Sequence, residues 1–152
     1  KGGGQWERAL RLLEEMQEKR GIEPNVVTYS AVIGALWAAG QQSKAVEVFQ
    51  GCCATHYEDL EPVTVLSIGK LDFHGHSLAV SCAAMQSLVD HVCAHGGAGG
   101  AGRAGLLVIT GKGLHSPGEP VLREGVREFV ATTLGLEVQE VPSNPGCFRL
   151  EL

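Results

Sequence analysis

The chain has 152 residues, of which 44% are hydrophobic and 19% charged, with a formal net charge of −5. That composition describes a soluble globular protein with room for one ordinary domain, or for a small domain beside a fragment of another, and no apolar run reaches the roughly 18 to 20 residues of a membrane span. Residues 1–59 hold six basic and eight acidic side chains and residues 60–152 six and nine, a balance that argues against nonspecific polyanion binding by bulk electrostatics, so any nucleic-acid contact must rest on local geometry.

The opening "KGGGQWERALRLLEEM" passes from glycines straight into a charged amphipathic stretch without the apolar segment of a targeting peptide. The sequence reads as an excerpt of a longer chain. "GQWERALRLLEEM" at 4–16 aligns with "GQQSKAVEVFQGC" at 40–52 at an offset of 36, with Gly4/Gly40, Gln5/Gln41 and Ala9/Ala45 identical. Between them Val26, Tyr29, Val32, Ile33 and Leu36 recur at three- and four-residue spacing, which predicts one more helix. Units this short bury their apolar faces only against neighbours, so the pattern predicts a helical solenoid. Trp6, Trp37, Cys52 and Cys53 are expected to pack within it. The five cysteines, Cys52, Cys53, Cys82, Cys93 and Cys147, form no CxxC pair and are odd in number, which argues for a reducing compartment rather than a disulfide framework or a zinc ribbon.

The stretch "PNVVTYS" at 24–30, followed by Gly34, Ala39-Gly40 and "AVEVF" at 45–49, resembles a pentatricopeptide repeat, with the end of a preceding repeat at 5–25. The resemblance implies a partner, single-stranded RNA, read one base per repeat, with Ser30 and Asn25 as the base-reading positions. The second reading position expected near residue 60 falls in "HYEDLEP", which does not look like a repeat ending, so no base is assigned.

From residue 61 the period changes. "EPVTVLSIG" is read as a β-rich run leading into "LDFHGHS". Side chains two apart on a strand share a face, so Leu71 and Phe73 are expected in the core, with Asp72 and His74 pointing together the other way. Gly75 provides a tight turn, Ser77 an N-cap, and Leu78, Cys82, Met85, Val89 and Val92 the stripe of a helix. His76 is read as a residue leading into that helix. "HGGAGGAGRAG" at 95–105 is a glycine loop, "LLVIT" a short buried strand, and "EPVLREGVREFVATTL" a helix with Pro120 in its first turn and Gly135 as its stop. "LEVQEVP" and "CFRLEL" alternate as strands around "SNPG". The predicted fold class is α+β (mixed): an N-terminal α-helical repeat fragment (α-solenoid) at 1–60, then a two-layer β-α-β-α-β-β domain at 62–152.

Directly after the buried strand, "TGKG" at 110–113 lets successive backbone N–H groups converge into an anion site to which Lys112 adds a charge. It is no P-loop, because Gly113 stands where that motif needs Ser or Thr. "LDFHGHS", "LLVITGKGLHS", "LREGV" and "NPGCFRLEL" together resemble a small-MutS-related (Smr) domain, whose hallmarks are LDxH and TGxG at the ends of neighbouring strands. The resemblance implies a nicking endonuclease acting on RNA or DNA, with Asp72, His74, Gly111, Lys112 and Gly113 in its site. A phosphodiester needs a proton acceptor, a proton donor and stabilisation of extra negative charge. His74 fits the general base, with Asp72 orienting its imidazole or holding a divalent ion, Mg or Mn. Thr110 and the 111–113 turn fit the phosphate, His115 the leaving-group acid, and Arg123 and Arg149 the nucleic-acid backbone. The two resemblances in tandem imply an organellar protein, chloroplast or alternatively mitochondrion, in which the repeats position RNA for cutting, with protein partners in organellar gene expression. The competing reading is a noncatalytic nucleic-acid- or protein-binding adaptor, which the acidic balance favours.

Overall fold

The computed structural model describes residues 3–19, 21–94, 105–110, 121–143 and 146–151, which carry six α-helices and four strands. They divide into two compact units, Lys1–Glu58 and Asp59–Leu152. The glycine loop at 95–104, the turn at 111–113 and the approach to the last helix at 114–120 lie outside the described residues.

The first unit is three helices, α1 (Gly3–Glu18), α2 (Val26–Ala38) and α3 (Gln42–His56). Asn25 starts α2 by accepting the Thr28 backbone N–H at 2.9 Å and the Thr28 hydroxyl at 3.1 Å, which satisfies one of the donors every helix leaves open at its N-terminus. Gly40, at φ +79°, ends it. Four of the five residues of the predicted α2 stripe are buried: Tyr29, Val32, Ile33 and Leu36 close against Ala45, Val46, Phe49, Cys52 and Cys53 of α3, with Leu13 of α1 also buried, whereas Val26, at the first helical position, is exposed. Each large apolar side chain so covered contributes roughly 1.5–3 kcal/mol. Tyr57 caps the unit, its ring 5.4 Å from that of Phe49. Lys44 on α3 reaches over Trp6 on α1 at 5.7 Å, and Gln17 donates to the Tyr29 hydroxyl at 3.2 Å.

The second unit opens with a helix where a strand is expected. Residues 62–68, read as a β-rich run, are a helix, α4 (Pro62–Ile68). Pro62 occupies its first turn, where a missing N–H costs nothing, and Gly69 closes it in the left-handed conformation at φ +81°, its N–H donating to the Val65 carbonyl. These two signals outweigh the β-branched character of Val63, Thr64 and Val65.

From there the predicted order of elements holds: β1 (Lys70–Asp72), α5 (Leu78–Ala94), β2 (Gly105–Ile109), α6 (Val121–Glu128), β3 (Val138–Glu140) and β4 (Cys147–Glu151). The helix predicted to stop at Gly135 does stop there, at φ +69°, but its last turn, Phe129–Thr133, widens into a π-helical segment. The strands form one mixed sheet in the order β1-β2-β4-β3. β1 and β2 run parallel with Asp72 opposite Ile109, and β4 runs antiparallel to both β2 and β3.

One face of this sheet is the core. Leu71, Leu106, Val108, Phe148 and Leu150 are all buried. Glu140, registered with Phe148, belongs to the same face, and α6 reaches it with two ion pairs, so α6 lies on that side. Leu78 of α5 packs so closely on α6 that a Cβ at Gly125 would meet its side chain at 2.6 Å. The buried side of α5 is broader than its predicted stripe. Cys82 and Met85 are buried as expected, whereas Leu78, Val89 and Val92 are only half-covered and Val80, Ala83, Ala84 and Leu88 take the deepest places. All five cysteines are free thiols; burial pushes Cys82 up to about 12 and Cys52 up to about 11.

Candidate functional site

β1 ends in an alternation that divides anchors from exposed groups. Leu71 is 1% and Phe73 0% exposed, while Asp72 and His74 between and beyond them are exposed. The Phe73 N–H continues the ladder to the Ile109 carbonyl at 2.7 Å, which holds this end of β1 against the end of β2. The chain then turns sharply: Gly75 adopts φ +87° and the His76 N–H closes the turn on the Phe73 carbonyl at 2.9 Å. Ser77 caps α5, its hydroxyl accepting the Val80 N–H at 3.2 Å.

Within this turn Asp72 Oδ1 accepts the backbone N–H of His74 at 2.9 Å. The expected link from the carboxylate to the His74 imidazole is replaced by one to its main chain, so Asp72 fixes the turn that carries the ring. The imidazole that feels the carboxylate is that of His76. It is half-buried, and burial lowers its pKa below the usual histidine value, partly offset by the negative charges of Asp72 and of Asp59. A reading of His76 as a lead-in to the helix misses this placement. The available signal is the Asp-x-x-x-His spacing across a glycine turn, which brings residue 76 back over the strand end.

The remaining predicted site residues fall into three groups. Gly111, Lys112, Gly113 and His115 lie outside the described residues; Thr110, immediately before them, follows β2 directly and stands beside Phe73 at the same end of the parallel pair. Thr110 itself is not placed to bind phosphate. It is 5% exposed, and both its N–H, at 2.9 Å, and its hydroxyl, at 3.3 Å, donate to the Gly146 carbonyl. Arg123 is likewise engaged elsewhere, pairing with Glu140 Oε1 at 2.6 Å, and Arg127 takes the other carboxylate oxygen at 2.5 Å. A guanidinium held this way ties α6 to the sheet rather than meeting a nucleic-acid backbone. Arg149 is exposed on the opposite face of the sheet.

In the first unit Asn25 is occupied as the cap of α2, and Ser30 lies one turn further along, half-exposed. Among the described residues no three His, Cys, Asp or Glu side chains are gathered so as to hold a metal ion. No described helix is long and apolar enough to cross a membrane.

Residues 2–38 match the PPR repeat family. The match takes in α1 and α2, and repeats of that family generally bind single-stranded RNA. α3 and the whole second unit lie beyond the matched residues. No curated protein and no solved structure matches the chain.

Proposed function

We propose that the second unit is a small-MutS-related domain that nicks nucleic acid, RNA first and DNA as a further substrate, and that the pentatricopeptide repeats select the RNA presented to it. The observation that carries the reading is the exposed Asp72/His74 pair at the end of β1, beside the end of β2 from which the TGKG segment departs. In parallel sheets the carboxyl ends of neighbouring strands are where ligands gather. His74 takes the proton of the attacking oxygen as that oxygen bonds to phosphorus; the amides of Gly111 to Gly113 and the Lys112 charge hold the phosphoryl oxygens; His115 returns a proton to the leaving oxygen. Asp72 holds the turn in register through the His74 N–H. If the reaction uses Mg²⁺ or Mn²⁺, Asp72 is its ligand. An organellar setting, chloroplast before mitochondrion, accompanies this reading.

The test incubates the chain with labelled single-stranded RNA and with supercoiled DNA, with and without chelator, alongside Asp72→Ala and His74→Ala. Cutting by the parent chain that both variants lose supports the reading. RNA binding without cutting supports instead a noncatalytic adaptor, and cutting unchanged in both variants removes Asp72 and His74 from the chemistry.

A further inference from the structure

We infer that the face of the four-stranded sheet opposite the core is a track along which a single RNA strand lies as it enters the Asp72 turn. This deepens the cutting reading above by giving the substrate a path, and the two stand or fall on different measurements.

The register sets the path. Lys70, Leu107, Arg149 and Gln139 are paired in turn across β1, β2, β4 and β3, so their side chains form one row on the face opposite the core. Strands lie about 4.8 Å apart, which puts the Lys70 and Arg149 backbones roughly 10 Å apart with Leu107 between them. Both cations are exposed and Leu107 is half-exposed. Two residues further along β1 and β2 on the same face come Asp72 and half-exposed Ile109, so the path follows β1 and β2 toward the turn that carries His74, while Cys147, opposite Ile109 on β4, is buried.

Charge argues for the occupant. Among the described residues the second unit has four cationic side chains, Lys70, Arg123, Arg127 and Arg149. Arg123 and Arg127 share the Glu140 carboxylate on the core side, while no described ion pair takes up Lys70 or Arg149. The Arg149 guanidinium leans toward Gly105, two residues before its register partner Leu107 on β2, where a Cβ would stand 4.0 Å from its Nη1 atom. The carboxylates of this face stand off the row, Glu151 at the end remote from the turn and Asp72 within the turn itself. Two cations flanking an apolar strip fit successive phosphates with a sugar or base edge between them. The face carries no aromatic side chain among its described residues, so the contact reads backbone rather than sequence.

The experiment measures binding of the whole chain to a fluorescent single-stranded RNA of mixed sequence across a salt series. Each phosphate contact on a single strand adds about 0.7 to the slope of log K against log salt. Lys70→Gln/Arg149→Gln is therefore expected to weaken binding and flatten that slope by about 1.4, whereas Arg127→Gln, whose cation is already paired, keeps the parent slope. A double variant with the parent Kd and slope overturns the track and leaves the face to a protein partner. Loss of cutting in Asp72→Ala with the slope intact separates the two ideas: a parent chain that binds through Lys70 and Arg149 but never cuts sinks the nuclease and leaves the track standing.

Discussion

His76 shows how a single side chain can be placed by forces that pull in opposite directions. Burial favours the neutral ring and the carboxylates of Asp72 and Asp59 favour the charged one, with burial dominant. A histidine whose folded pKa lies below its unfolded value contributes stability that is complete above about pH 6.5 and is lost as acid protonates the unfolded chain first. His76→Gln is thus expected to lose less stability than the parent between about pH 7.5 and about pH 5.5, read as the shift in urea midpoint. Equal shifts in the two proteins would remove His76 as a linked group. Asn25 makes a second case at this scale. Its carboxamide oxygen is the cap of α2, so Asn25→Ala should cost about 1 kcal/mol of stability in the absence of any RNA, measured by chemical denaturation. A variant of parent stability but altered RNA affinity would return Asn25 to base reading alone.

Among the elements, those with a strong local period are legible in the sequence. The three-and-four spacing of α2, exposed Val26 at its first position apart, and the alternation of Leu71, Asp72, Phe73 and His74 each name their buried side, because a single face decides them. α4 reads wrongly as strand because Val63, Thr64 and Val65 prefer strands in isolation, whereas Pro62 and Gly69 bracket a single short helix. What local pattern does not encode is pairing across the fold. The partners of Thr110 and Arg123 stand 36 and 17 residues away, so two polar residues that look available for phosphate are already bonded. The junction of α5 and α6 is equally nonlocal and gives a direct test. Gly125→Ala gains about 1 kcal/mol of helix propensity but drives a methyl into Leu78, and overpacking of this kind costs typically about 1–3 kcal/mol. The change should gain less in the parent than in a Leu78→Ala background, where the methyl meets no side chain. Denaturation midpoints of the four proteins read the cycle, and equal shifts in both backgrounds would contradict the packing.

At the scale of the whole molecule, two units with different architectures divide the work of one proposed reaction. The first two helices match a repeat family that generally binds single-stranded RNA, the task the proposal gives them. The second unit brings Asp72, His74 and His76 to one strand end through a glycine turn, and that concentration of polar groups is the basis for assigning it chemistry. The measurement that bears most directly on this is the single-turnover cutting rate of saturated, labelled single-stranded RNA by the parent chain and by Asp72→Asn/His74→Gln. Loss of a general base and of the group that sets its turn predicts a fall of at least about a hundredfold while the RNA Kd stays at the parent value. Cutting by the double variant at the parent rate would contradict the assignment.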